Sequence, residues 1–145
     1  MCSHKPLSLT SPKQRQGSLF EQQAYEFLQS QGLILIAQNW QQPKVGELDL
    51  IMLETGSAWS TLVFIEVRQR QRSGFGGAAL IVTASKQRKV IKTAQYFLQQ
   101  HPEYEDYDCR FDVIAYDTVG NHIKTSGQNI ANQPQWLKGA FIADT

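Results

Sequence analysis

Two carboxylates interrupt apolar stretches of this sequence. Asp49 lies within the run LDLI, and Glu66 lies within the run VFIEVR. A charge that is even partly removed from water costs several kcal/mol unless something compensates it. If the two runs form a hairpin centred between Ser57 and Ala58, residues whose numbers sum to 115 face each other. This register predicts that Asp49 lies across from Glu66, with their Cβ atoms about 5 Å apart.

Two carboxylates at this separation repel each other, which raises one pKa or calls for a cation between them. Such hard oxygen ligands suit Mg²⁺, or Mn²⁺ in its place, because Mg²⁺ is usually held by one or two carboxylates, waters and a substrate phosphate. The ion could polarise a phosphodiester and activate the attacking water. The alternative is that Asp49 and Glu66 are ordinary hairpin charges, paired with Arg68 or another base.

The basic residues are unevenly distributed, although the net charge of the 145-residue chain is only +1. No acidic residue occurs between Glu66 and Glu103, and this interval holds seven of the fourteen Lys and Arg. Contacts with a nucleic-acid backbone would explain such a cluster. A solvated helix face plus a basic loop is the alternative. Beyond Arg68, the candidate nucleic-acid-binding residues are Arg70, Arg72, Lys86, Arg88, Lys89 and Lys92.

Hydrophobic periodicity and turn residues predict six elements in the order α-β-β-β-α-β. Strands separated by the second helix can pair in parallel through a crossover, so we expect an α/β or α+β fold with a mixed sheet flanked by helices. A segment beginning at Ile123 is left open between strand and loop. The predicted elements are helices 18–31 and 84–100 and strands 33–40, 47–53, 61–68 and 109–116.

The length predicts one domain, residues 17–145, with its core in about residues 17–117 and a flexible N-terminal arm at residues 1–16. The chain has only two cysteines, Cys2 and Cys109, and neither has a partner at zinc-site spacing, so we expect no disulfide framework. No apolar run reaches the length of a signal peptide or a membrane span. We therefore expect a cytoplasmic protein that is not associated with a membrane.

Five separated motifs resemble the YraN family of poorly characterised proteins. They are GELDLI at 46–51, LVFIEVR at 62–68, FGGAA at 75–79, KQR at 86–88 and RFDV at 110–113. That family is similar in fold to restriction endonucleases and Holliday-junction resolvases, whose active site is written PD-(D/E)xK. The resemblance therefore implies a restriction-endonuclease-like fold and a metal-dependent nuclease that acts on DNA, including branched or damaged DNA.

The resemblance also assigns roles to individual residues. Asp49 and Glu66 match the two acidic positions of the motif, which bind the metal and catalyse hydrolysis, and Arg68 matches the terminal basic position. Glu21 matches the first-helix glutamate that often joins the metal site in the resolvases, with Glu26 as the alternative. Active nucleases usually have Lys where this chain has Arg68. Because arginine stays protonated, it could hold a phosphate but could not act as a general base.

The substitution at position 68 leaves two functions open. One is a nuclease that uses Mg²⁺ or Mn²⁺, and the other is a non-catalytic nucleic-acid-binding module that retains the nuclease fold. A third alternative is a protein scaffold that uses the acidic run 103–108. A homodimer would suit a junction with paired binding sites, but no dimer interface can be identified in the sequence.

Overall fold

The computed structural model describes residues 12–71, 81–118 and 134–143. Its elements are α1 (Pro12–Ser30), β1 (Ile34–Gln42), β2 (Gly46–Thr55), β3 (Ser60–Gln71), α2 (Ala84–Gln100), a 3₁₀ turn (Pro102–Tyr104), β4 (Asp108–Thr118) and β5 (Gln135–Phe141). The predicted order is confirmed, with β5 added at its end. The segment at Ile123 and residues 1–11 of the predicted arm lie outside the described residues, and α1 begins at Pro12 rather than Ser18.

The five strands form one mixed sheet in the order β1-β2-β3-β4-β5. The β1–β2, β2–β3 and β4–β5 pairs are antiparallel, whereas β3 and β4 are parallel. A parallel pair needs a long connection, and α2 lies in the connection between these two strands. The parallel crossover predicted from the sequence is confirmed, and the mixed sheet flanked by helices is consistent with a nuclease-like fold.

The β2–β3 hairpin has the register predicted from the sequence. Leu50 pairs with Ile65 and Leu53 pairs with Leu62, so the numbers of facing residues sum to 115. The backbone N–H of Gly56 donates to the carbonyl oxygen of Trp59 at 2.9 Å and closes the turn. A hairpin turn fixes the register of the strands that it joins. The strand that carries Asp49 and the strand that carries Glu66 therefore have the alignment predicted from the sequence.

Each face of the sheet packs against one helix. One core places Leu62 and Phe64 of β3 beneath Val90 and Phe97 of α2. Alternation along β3 sends Val63 and Ile65 to the opposite face, where they pack with Leu28 of α1 and other apolar residues. Because Glu66 alternates in step with Phe64, it lies on the face covered by α2. No helix in the described part of the chain is long and apolar enough to span a membrane.

The beginning of α2 is set by a polar cap. Thr83 precedes the helix in an extended conformation, and its Oγ1 accepts a 3.2 Å hydrogen bond from the backbone N–H of Lys86. The helix lies close to the start of β2, because a Cβ added to Gly46 would come within 2.6 Å of Thr93 Oγ1. Any larger residue at position 46 would require the Thr93 side chain, or the helix that carries it, to move. The two features position the first turn of α2 beside the strands that carry the carboxylates.

At the other side of the sheet, a buried carboxylate fastens β5 to β4. Asp112 is fully buried and accepts hydrogen bonds from Arg110 Nε at 2.9 Å, Trp136 Nε1 at 3.0 Å and the backbone N–H of Gly139 at 3.0 Å. Arg110 also bonds Glu54 on β2, with a shortest distance of 2.7 Å. The ion pair between Asp112 and Arg110 lies within one strand, β4, and the network is structural.

Candidate active site

Asp49 lies one step beyond Leu50 and Ile65, the last paired residues of the β2–β3 ladder toward this end of the sheet. Its Oδ2 accepts a 2.9 Å hydrogen bond from the backbone N–H of Val67. A partly buried amide would otherwise lack a partner where the ladder ends, and the carboxylate supplies one. The contact holds the Asp49 side chain against β3, immediately beside the position of Glu66.

The Glu66 side chain is only 11% exposed, and a cation from α2 approaches it. Lys86 Nζ lies 3.5 Å from Glu66 Oε1, and the Lys86 side chain is 42% exposed. The ion pair therefore lies at the edge of the site, with its carboxylate inside and its ammonium partly in solvent. Sequence spacing places Lys86 twenty residues from Glu66, and the packing of α2 over the sheet brings the two together.

Glu21 extends the acidic group from the α1 side. Asn39 donates hydrogen bonds to Glu21 Oε2 at 2.9 Å and to Glu47 Oε1 at 3.2 Å when its side-chain amide nitrogen faces these two carboxylates. Asn39 has a φ of 50°, a left-handed conformation that asparagine tolerates better than most residues. Glu26, the alternative to Glu21, is exposed and accepts a hydrogen bond from Gln22 instead. Of these two α1 glutamates, Glu21 is the neighbour of Asp49.

Burial and mutual repulsion disfavour the charged forms of these carboxylates. Burial raises the pKa of Asp49 to about 7, the charge of Glu66 adds to the rise, and the hydrogen bond from Val67 opposes it. Burial raises the pKa of Glu66 as well, although the charges of Lys86 and Arg68 lower it. Burial and the charge of Asp49 raise the pKa of Glu21 to about 7. Clustered, perturbed carboxylates of this kind are typical of functional sites.

A family model described as "Uncharacterised protein family UPF0102" matches residues 20–116, which is more than half of the chain. The chain belongs to the UPF0102 family. This result confirms the YraN resemblance drawn from the five motifs. The matched region contains all the candidate site residues, from Glu21 on α1 to Lys92 on α2.

Other members of UPF0102 resemble the chain over most of its length. A UPF0102 protein from Psychrobacter arcticus is 66% identical, and the alignment covers 99% of this chain and 89% of that protein. A UPF0102 protein from Psychrobacter cryohalolentis is 65% identical over 98% of this chain and 88% of its own. A third, from Pseudomonas putida, is 44% identical over 88% of this chain and 93% of its own.

The donor set of this UPF0102 chain fits a magnesium ion that keeps much of its water. In the described ranges, no three or more His, Cys, Asp or Glu side chains form a group that could hold a metal ion. Magnesium often binds through only one or two carboxylates, with waters and substrate phosphate completing its shell. Asp49 and Glu66 are hard oxygen donors beside each other, and a divalent cation would relieve their repulsion. Glu21 lines an adjoining cavity of about 40 Å³, which has room for water.

Arg68 follows Glu66 by two residues and therefore projects from the same face of β3. Its charge lowers the pKa of Glu66. Within the described part of the chain, Arg68 makes no ion pair with Asp49 or Glu66, whereas Lys86 does pair with Glu66. The residue that the YraN resemblance assigns to the terminal basic position thus lies near the carboxylates without contacting them.

The remaining basic candidates divide into described and undescribed residues. On α2, Arg88, Lys89 and Lys92 are exposed, on the helix whose first turn carries Lys86. Arg70 lies in β3, where only its backbone is described, and Arg72 lies outside the described residues. The proposed contacts of all these residues with nucleic acid stay predictions.

Two features of the site were absent from the sequence-based interpretation. Asn39 was not identified as a partner of Glu21 and Glu47, because a polar residue near the end of a strand has many uses. Its left-handed backbone has no sequence signal of its own in a run of polar residues. Lys86 was assigned to nucleic-acid binding rather than to the carboxylates, since its contact with Glu66 depends on the distance between a helix and a strand.

Proposed function

We propose that this chain is a nuclease-like protein that binds DNA and hydrolyses its phosphodiester bonds with Mg²⁺ or Mn²⁺. The observation that carries the proposal is the placement of Asp49 on β2 and Glu66 on β3 at one end of the hairpin, with Lys86 Nζ 3.5 Å from Glu66. Two carboxylates can hold a divalent ion that assists phosphoryl transfer, and an amine beside them can contact a phosphate oxygen. Branched or damaged DNA is the substrate that the family resemblance implies.

The chain's own residues would bind and orient the reactants. Asp49 and Glu66 would hold the ion, with Glu21 nearby, and exposed Arg88, Lys89 and Lys92 would bind flanking phosphates. When bound, the ion would supply Lewis-acid polarisation of the phosphate. A water oxygen forms a bond to phosphorus while the bond from phosphorus to the leaving oxygen breaks. The water gives up a proton to solvent, and the leaving oxygen takes one from solvent.

One observation favours a different function, a non-catalytic module that binds nucleic acid. Position 68 is Arg, which could hold a phosphate but could not take a proton from the attacking water. Such a module would keep the fold and the basic face while cutting nothing. Under either function, a cytoplasmic location and a homodimer stay predictions.

A cleavage assay separates the two functions. The purified protein is incubated with supercoiled plasmid and with a four-way DNA junction, in Mg²⁺, in Mn²⁺ and in excess chelator. We expect metal-dependent cleavage that falls by at least about 100-fold in Asp49→Asn and Glu66→Gln. Asp106→Asn and Glu105→Gln, at exposed positions, are matched controls that should cut as wild type does, and cleavage that persists in Asp49→Asn and Glu66→Gln would indicate a contaminating nuclease. DNA binding without cleavage by any preparation would establish the module instead.

A further inference from the structure

Lys86 occupies a helix position that does not favour a lysine. Thr83 caps α2, so Lys86 is the third residue of the helix, where a capping box would have Glu or Gln. The positive end of a helix dipole disfavours a cation in the first turn. The first turn of α2 contains no acidic residue to offset the charge. Local helix energetics therefore do not explain this residue.

Glu66, on β3, offsets the positive charge of Lys86, which no acidic residue in the first turn of α2 does. Lys86 Nζ lies 3.5 Å from Glu66 Oε1, and the charge of Lys86 also reaches Asp49, whose pKa it lowers. Glu66 is nearly enclosed at 11% exposure, whereas 42% of the Lys86 side chain remains exposed. An ammonium in this arrangement faces both the carboxylates and any anion that enters from solvent.

We infer that Lys86, rather than Arg68, is the basic side chain that contacts the reacting phosphate at the Asp49–Glu66 pair. The inference rests on the proposed function and assigns the basic position of that site to the first turn of α2. Lys86 would donate hydrogen bonds to a non-bridging phosphate oxygen and stabilise the charge that develops as the new bond to phosphorus forms. Arg68 would bind a neighbouring phosphate through its planar fork of donors.

The roles given to Lys86 and to Arg68 differ in the kinetic parameter that substitution of each residue should change. Removing a residue that stabilises only the transition state lowers the rate at saturation, whereas removing a residue that binds the ground state weakens affinity. The test measures single-turnover cleavage of labelled DNA at saturating protein, together with DNA affinity, in Mg²⁺. The variants are Lys86→Met, Lys86→Arg and Arg68→Gln, with Lys138→Met as the control. Lys138 lies on β5, where its ammonium is 4.0 Å from Glu54 Oε2, and it pairs with neither Asp49 nor Glu66 among the described residues.

We expect Lys86→Met to lower the saturated rate by about 100-fold or more, the scale of losing one preorganised donor. Its DNA affinity should change by less than about threefold, because the contact from Lys86 strengthens mainly as charge develops on the reacting phosphate. Lys86→Arg should recover part of the rate because it restores the charge. Arg68→Gln should weaken binding while keeping the saturated rate within about tenfold of wild type. Urea unfolding of each variant identifies any loss that comes from misfolding.

A second readout does not depend on activity. Removing a cation from beside Glu66 should tighten Mn²⁺ binding, measured by electron paramagnetic resonance without DNA, by about threefold or more in Lys86→Met. If Lys86→Met cuts within about threefold of wild type while Arg68→Gln loses the saturated rate, this inference is wrong and the proposed function stands. If wild type cuts no DNA, the proposed function is wrong, and an unchanged Mn²⁺ affinity in Lys86→Met would overturn the placement of Lys86 as well.

Discussion

The backbone N–H of Val67 donates a 2.9 Å hydrogen bond to Asp49 Oδ2, so the strand that carries Glu66 also holds the neighbouring carboxylate in place. The contact orients Asp49 but does not neutralise it. Burial and the charge of Glu66 raise the pKa of Asp49 despite this hydrogen bond. The protein without metal therefore keeps two repelling carboxylates together, and this arrangement costs folding stability at neutral pH.

Asp49→Asn should stabilise the metal-free protein at pH 8. A carboxyl whose pKa is raised from 3.8 to about 7 by folding binds more protons in the folded state, so stability falls as pH rises between these values. The amide that replaces the carboxylate is neutral at every pH, and its oxygen can still accept from Val67. We expect a gain of about 1–2 kcal/mol in the free energy of unfolding at pH 8. Urea unfolding at pH 8 and pH 4 measures it.

The advantage of Asp49→Asn should shrink toward zero at pH 4, where Asp49 is protonated in the folded protein. Asp106→Asn is the control because Asp106 is exposed, and it should change stability by less than about 0.5 kcal/mol at either pH. A gain of equal size at both pH values would show that the carboxylate charge is not its cause.

Metal binding should release protons, because a carboxylate must be ionised to bind the ion. With the pKa of both Asp49 and Glu21 raised to about 7, part of each carboxyl is protonated near pH 6.5. Calorimetric titration with Mn²⁺ in buffers of different ionisation enthalpy should show about one proton released at pH 6.5 and almost none at pH 9. Glu21→Gln should reduce the release and leave Mn²⁺ binding detectable. Release that does not depend on pH would contradict the raised pKa values of these carboxylates.

Asn39 combines two properties that substitutions can separate. Its φ of 50° suits glycine, and its side chain bonds Glu21 and Glu47. Asn39→Ala loses both properties, whereas Asn39→Gly loses only the amide. Asn39→Ala should therefore destabilise the protein by about 1–2 kcal/mol, and Asn39→Gly by less. Urea unfolding compares the two, and equal losses would show that the backbone conformation contributes nothing.

Asp112→Ala should be among the most destabilising single substitutions in the chain. It removes the shared acceptor of Arg110, Trp136 and Gly139 from the interior. Breaking a buried charged network in this way costs about 3–5 kcal/mol. Glu54→Ala removes the other partner of Arg110, but Glu54 is 30% exposed, so its loss should cost only about 1 kcal/mol. Similar urea midpoints for the two variants would contradict the importance of burial.

Local signals were sufficient for most of the fold. Helix α2 begins at Ala84 and ends at Gln100, as the sequence predicts, because Thr83 caps the helix and Pro102 follows it. The β2–β3 register followed from loop length and Gly56, and both depend on residues within one hairpin. The parallel placement of β4 followed from the helix between it and β3.

Contacts between distant segments could not be predicted in the same way. In β5, QWLKGAF has no strict alternation, and the strand is held by Asp112, which lies 24 residues before Trp136. The proximity of Lys86 to Glu66 likewise depends on how closely α2 approaches the sheet, and Gly46 permits that approach. Sequence spacing identified the carboxylates of the candidate site, but not the cation that contacts one of them.

The attachment of β5 has a practical consequence for shortened versions of this protein. The UPF0102 match ends at residue 116, whereas two donors to Asp112 belong to Trp136 and Gly139. A fragment trimmed to the matched region would leave an interior anion without these two donors, and would expose β4 as a new sheet edge. Recombinant fragments intended for crystallisation or binding assays should therefore retain the chain through Phe141.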